Sequence, residues 1–341
     1  MPAASFPWLH LGLGLGVLFL IGIIAGGIGS VYIPPLTLVK IVADKLPLLN
    51  IENTWSGSWD TIIWHLRFPR ILLAGLVGAG LAISGATYQG LFRNPLADPY
   101  FIGVAAGAGL GATVVFVTGM PQYSHGFSFL PIAAFAGGLV AVSIAYTMTR
   151  QSKGLPLTTL ILAGVATSSL AGAITSLLMI RADPDVKPLL GWLLGGFIGA
   201  GWQDVLTVLP YMGIGITVMI LYARVLNLFQ LNQDEAKQLG VNVERTKLFL
   251  IGAASLTTAA AVSVSGLIGF VGLIAPHTVR LVWGFDNRFL LPMSMVVGGT
   301  FLILADVIAR TAVSPTELPV GVVTAFCGAP FFLFLLRRNR R

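Results

Sequence analysis

Residues 67–111 read RFPRILLAGLVGAGLAISGATYQGLFRNPLADPYFIGVAAGAGLG. Arg67 and Arg70 precede about twenty uncharged residues. The polar hinge Arg93-Asn94-Pro95-Leu96-Ala97-Asp98-Pro99 then separates these from a second apolar, glycine-rich run. A helix needs about 20 apolar residues to cross a bilayer. The stretch therefore predicts one span, a proline-bounded turn at the far face and a second span returning.

The rest of the chain extends the pattern. Hydrophobic residues make up 56% of the 341 and charged residues only 10%, too much apolar surface for a water-soluble domain to hide. Hydropathy places spans near 9–29, 69–91, 99–119, 128–149, 156–180, 203–223, 246–265, 267–283, 290–311 and 318–336. The expected fold is an all-α polytopic membrane protein of ten helices, a single domain over 1–341. The first span has no Lys or Arg before it, and Gly26-Gly27-Ile28-Gly29-Ser30 makes a poor cleavage site, so it is expected to be retained.

The net charge of +7 follows topology. With both ends cytoplasmic, thirteen lysines and arginines fall inside against seven outside, in line with the positive-inside rule. The basicity therefore sets orientation, and a nucleic-acid partner is not expected. The tail Arg337-Arg338-Asn339-Arg340-Arg341 reads as an anchor beside anionic lipid. Cys327 is the single cysteine, which excludes an internal disulfide and a cysteine metal site, and the four histidines show no metal-binding spacing. The sequence holds no phosphate-binding GxxxxGK[ST] loop, so any nucleotide-driven step belongs to another chain.

Glycines recur at four-residue spacing in Gly22/Gly26, Gly103/Gly107/Gly111 and Gly195/Gly199, which predicts small helix faces for close packing. The outer segment 30–68, with Trp55, Trp59 and Trp64, is expected to hold an interfacial helix. Pro184 and Pro188 flank the apolar piece Leu189–Ile198, expected as a partial helix. In the inner segment 224–247, residues 232–240 begin with capping and acidic residues and end at Gly240. That predicts a short helix with a glycine C-terminus, suited to contact a soluble partner. Asp306 and Arg310 are four apart and form a self-neutralising pair near the outer end of their span, with Glu317 close behind. Arg67, Arg70 and Arg310 at this face form an expected socket for carboxylates.

Several ordered motifs carry a resemblance: residues 67–99 above, LILAGVA at 160–166, DEAKQLGV at 234–241, GLIGFVGLIAPHTVR at 266–280, LADVIAR at 304–310 and ELPVGVVTAFCGAPFF at 317–332. Over nearly its whole length the chain resembles the FecCD-type permeases of type II bacterial ABC importers. The resemblance implies a homodimer around a central pathway in the bacterial inner membrane, two ATPase subunits that bind ATP and Mg, and a substrate-binding protein outside. No cofactor is implied in this chain, nor any catalysis by it. Arg67, Arg70 and Arg310 resemble the arginines that receive the binding protein's glutamates. Asn94, Leu96, Leu157 and Thr158 occupy cytoplasmic-gate positions, although Leu157 is apolar where some relatives carry a hydroxyl. Asp234, Glu235, Ala236, Lys237, Gln238, Leu239 and Gly240 resemble the segment seated in the ATPase cleft. Tyr88 and Gln89 are candidates to line the pathway, with packing as their other role. The expected cargo is a metal chelate: ferric siderophore first, haem next, then cobalamin. The competing reading is an ion-coupled secondary transporter of a small solute, which would need ionisable residues deep in the spans.

Overall fold

The computed structural model describes residues 7–29, 31–45, 55–120, 123–124, 127–150, 156–181, 187–230 and 233–338. Helix α1 (Trp8–Gly27) leads to α2 (Pro35–Asp44) and α3 (Gly57–Thr61), and a π turn over Ile62–Arg67 continues into α4 (Phe68–Phe92). The second span was expected to begin at residue 69. The helix instead starts at Gly57 and runs 36 residues to Phe92. Pro69 explains the π turn: a proline ring would clash with the carbonyl four residues back, and Phe68 N–H widens the coil by bonding Ile63 O, five residues back.

A 3₁₀ turn (Pro99–Ile102) precedes α5 (Val104–Val117); the two-residue strands Tyr123–Ser124 and Phe127–Ser128 pair antiparallel before α6 (Phe129–Thr149). Then follow α7 (Leu157–Arg181), α8 (Lys187–Leu193), α9 (Trp202–Leu221), α10 (Ala223–Leu228), α11 (Gln233–Gln238), α12 (Val243–Ser265), α13 (Val271–Trp283), α14 (Asn287–Thr311) and α15 (Val320–Arg338). Each of the ten expected spans has its helix. Seven of these helices are long and apolar enough to cross a membrane unaided, while Val104–Val117 and Val320–Phe334 are shorter apolar stretches and α13 has 13 residues. The third and eighth spans are shorter than expected because backbone breaks at 99–103 and 266–270 consume their starts. Such breaks survive at membrane depth only where protein surrounds them.

Helix α4 is the axis of the bundle, buried along most of its length between α14, α12 and α13. The approach is backbone to backbone: a Cβ on Gly85 would collide with the carbonyl of Gly272 in α13, and one on Gly78 with that of Gly298 in α14. A second tight pair joins α5 to α6, where Gly107 faces Gly137 and Gly111 faces Ala133. The expected small faces are present there. Gly26 accommodates Leu38 of α2, whereas Gly22 meets only Ile71 at 3.8 Å. For Gly195 and Gly199 the expectation is corrected: both lie in the turn after α8 with φ of +72° and +77°, a region glycine enters freely.

The interfacial helix expected in 30–68 is α2, which starts at Pro35, buries Leu38 and Ile41 and exposes Lys40. The expected partial helix after Pro188 is α8; Pro184 lies outside the described residues, as does the tail beyond Arg338.

Candidate functional site

Three layers of side chains hold the bundle from end to end. At the outer end, Arg70 grips Asp306 with Nε at 3.0 Å and Nη2 at 2.8 Å, and reaches Glu317 at 2.9 Å. Arg310 Nε stands 3.1 Å from the other oxygen of Asp306, one turn away on α14, so the expected i,i+4 pair is formed. Asp306 is 1% exposed and Glu317 34%. Arg310 also donates to Ile28 O and Ala25 O at 3.2 Å, and Arg67 donates to Gly26 O at 2.7 Å and to Val31 O. The carbonyls of Ala25, Gly26 and Ile28 close α1, so the two arginines cap its C-terminus and complement its dipole, while Val31 O belongs to the segment that follows. The residues of the expected socket form an interlocked hub: all three guanidiniums are mostly buried and engaged within the chain, with Glu317 its most exposed member. The sequence carried no signal for the carbonyl partners, which come from a distant helix.

The middle layer is built from the breaks. Tyr100 O–H donates to Ile268 O at 2.9 Å and accepts from Ile268 N–H at 3.1 Å, stitching the 99–103 break to the 266–270 break. Gly196 N–H bonds Ser265 O at 2.7 Å, which brings in the turn after α8. Phe270 closes the segment at φ +70°, a strained setting for a bulky residue. Tyr88 and Gln89 belong here and are corrected as pathway candidates. Tyr88 is fully buried, its hydroxyl 2.7 Å from Ser255 Oγ, and Gln89 donates to Gly272 O at 2.9 Å. Both face the bundle interior, where a polar side chain must be matched, and both pack α4 onto its neighbours.

The inner layer begins where α4 ends. Arg93 caps the helix with φ +52° and donates to Phe229 O. Asn94 Oδ1 accepts from Leu96 N–H at 2.9 Å, an Asx turn that presents Asn94 and Leu96 to solvent. Asp98 Oδ1 accepts from Tyr100 N–H at 2.8 Å, and burial pushes this carboxyl up to about 6, an effect that hydrogen bond only partly offsets. Leu157 packs on the apolar cluster that contains Leu91 and Ala97, and Thr158 beside it is exposed. Helix α11 is the expected short helix: Gly240 closes it at φ +84°, bonding Lys237 O at 2.9 Å. It buries Ala236 and exposes Glu235, Lys237, Gln238, Leu239 and Gly240, while Asp234 stands in its first turn.

A polar lock beside α11 went unpredicted. Asn227 of α10 donates to Asp286 Oδ1 at 2.7 Å and accepts from Asn287 N–H at 2.8 Å, and Gln230 donates to Phe285 O at 3.0 Å. Hydrogen bonds from Arg288, and then from Asn227, hold the Asp286 carboxyl down to about 2. Of its members only Asp286 has a local signal that could have been read, a capping residue type just before an apolar helix. Among the described residues no cluster of three His, Cys, Asp or Glu side chains could hold a metal.

Comparison with known proteins places this architecture. The model of the FecCD transport family matches residues 17–338. The chain is 47% identical to the cobalamin import system permease protein BtuC of Halobacterium salinarum, over 82% of this chain and 74% of that one. It is 41% identical to the hemin transport system permease protein HmuU of Yersinia pestis, over 86% and 89%. A solved structure of an inward-facing metal-chelate type ABC transporter superposes with a TM-score of 0.84 at 32% identity, covering 96% of this chain and 99% of the other. The chain belongs to the FecCD transport family, and it is a membrane-spanning permease subunit of an ABC importer rather than an enzyme.

Proposed function

We propose that this permease moves a bulky metal chelate into the cell by alternating access, as a homodimer with two ATPase subunits and a substrate-binding protein. The observation that carries the reading is superposition along nearly the full length on an inward-facing metal-chelate transporter, joined to family membership over residues 17–338. Relatives named for cobalamin and hemin import support a macrocyclic chelate as cargo, ahead of the ferric siderophore expected from sequence. The protein sits in the bacterial inner membrane with both termini cytoplasmic.

The binding protein docks over the outer hub. Arg67 and Arg310 hold the frame, and Arg70 is the group an incoming carboxylate reaches by displacing the half-exposed Glu317. Exposed ion pairs contribute only about 0.2–1 kcal/mol each, so this contact sets register and encounter rate. On the inner side α11 takes the push of ATPase closure. Asn94 and Leu96, with Leu157 and Thr158, close the pathway; Leu157 does so by apolar contact. A conformational shift of this kind needs only that ATP-bound partners hold one state more tightly than the other.

The test is uptake into vesicles by the reconstituted complex with its cognate binding protein, comparing cobalamin, haem and a ferric siderophore. ATP-dependent accumulation of one macrocycle, insensitive to ionophores, is expected. Uptake that proceeds without ATP and collapses with an ionophore would refute the mechanism, and uptake of the siderophore alone would refute the cargo.

A further inference from the structure

Between α1, α2 and the outer part of α4 lies a cavity of about 530 Å³. Phe19, Gly22, Val42, Phe68, Leu72 and Gly75 are among its walls, and the one charged residue lining it is Arg67, whose Nη groups are already given to Gly26 O and Val31 O. What faces the space is hydrocarbon, so water would find no polar partners in it.

Its level in the membrane follows from its neighbours. Trp64, Phe68 and Trp202 form an aromatic stack with ring centroids 5.1–5.5 Å apart, and such belts sit at headgroup depth. Helix α2 lines the cavity, burying Leu38 and Ile41 and leaving Leu36, Val39 and Lys40 exposed, in the manner of a helix lying in the interface. Phe68 belongs both to the aromatic stack and to the cavity wall, which continues along α4 to Ala79. Eleven residues of helix advance roughly 17 Å, and one leaflet of hydrocarbon is about 15 Å deep, half the bilayer core. Phe19, Val39 and Leu72 at its rim are exposed, so it opens to the surroundings of the spanning helices.

We propose that this cavity is a lipid site holding one acyl chain of a membrane phospholipid, its headgroup level with α2 and the tryptophans. The chain fills the wedge between α1 and α4 that these helices leave open where Gly22 and Gly75 present no side chains. Depth, length and lining all fit that occupant. A polar cargo does not suit so apolar a lining.

The experiment uses the full chain assembled with its partners, reconstituted in vesicles of equal parts phosphatidylglycerol and phosphatidylethanolamine, then exchanged into mild detergent and weighed by native mass spectrometry. The filled variant is Gly22→Leu with Gly75→Leu; the new Cβ atoms would meet only Ile71 Cγ2 at 3.8 Å and Ile303 Cδ1 at 3.5 Å, ordinary contacts. The control is Gly213→Leu on α9, where a Cβ meets nothing within 4 Å. Wild type and control are expected to retain one phospholipid per chain, and the filled variant to lose it by about tenfold with its thermal stability kept. If the double variant fails to fold, Gly75→Val alone should lower retention. Equal retention in the filled variants overturns the proposal, as does a wild type that sheds all lipid. A change in the number of associated chains in place of lipid loss also overturns it, because the cavity would then be a protein interface.

Discussion

Replacing Asp306 with Asn should be the most damaging single change at the outer face. The carboxylate is 1% exposed and lies 2.8 Å from Arg70 Nη2 and 3.1 Å from Arg310 Nε. Asparagine keeps the volume and one acceptor but leaves both guanidiniums buried without their central counter-charge. The hub then changes from three cations against two anions to three against one. Breaking a buried pair by removing one partner costs about 3–5 kcal/mol. Glu317→Gln removes a carboxylate of the same hub that is 34% exposed, where solvent screening limits the loss to about 0.2–1 kcal/mol. At roughly 2–4 °C per kcal/mol for a large domain, Asp306→Asn should lower the unfolding temperature by on the order of 10 °C and Glu317→Gln by no more than a few degrees. The assay is tryptophan fluorescence of purified protein in one detergent at one scan rate, because unfolding of such proteins is a kinetic event. Adding Arg70→Met to Asp306→Asn should recover part of the loss, since it removes one stranded cation. Equal losses for the two single variants, or no recovery in the double, would refute the buried-hub account.

Gly85→Ala should separate α4 from α13, because its Cβ overlaps the Gly272 backbone, and should sharply reduce folded yield on size exclusion; Gly213→Ala, in open space, should be neutral or stabilising by up to about 1 kcal/mol. Tyr100→Phe leaves Ile268 N–H and C=O without their hydroxyl, at about 1–3 kcal/mol for each buried group, and should raise hydrogen exchange across 266–270 while sparing α14. Burial pushes the Asp98 carboxyl up to about 6 from its ordinary 3.8, so the folded state holds the proton more tightly; stability should be greatest below about pH 4 and fall by about 3 kcal/mol as pH rises through 6. In Asp98→Asn that dependence should vanish, and a melting temperature of wild type that climbs over the same range would contradict the assignment.

The spans were legible because twenty apolar residues in a row admit few structures in lipid, and the cap at Gly240 because its signal is local. What escaped were partners fixed by the path of the chain. Arg67 reads as a surface cation in sequence, yet it closes the end of a helix forty residues upstream. Gln89 and Tyr88 look like polar residues lining a channel, and only the fold shows that Gly272 O and Ser255 receive them. The cut-short spans at 99–103 and 266–270 were hidden for a related reason. Hydropathy measures how well side chains suit lipid and says nothing about a backbone whose broken hydrogen bonds are answered by Tyr100.

Those breaks also decide where movement can occur. Glycine contacts weld α4 to α13 and α14, and a second set welds α5 to α6. Neither weld can open gradually, because backbones already in contact have no side chains to rearrange. The connection between the welded pairs runs through 93–103, where Arg93 and Gly103 sit at φ +52° and +97° and Tyr100 holds Ile268. A few residues at element ends are where large backbone changes are absorbed. Under the proposed coupling role of α11, a push that repositions α5 relative to α4 would turn at this segment. The Tyr100 hydroxyl is the bond it would strain first, so Tyr100→Phe should alter the coupling of transport to ATP hydrolysis more than it alters hydrolysis itself.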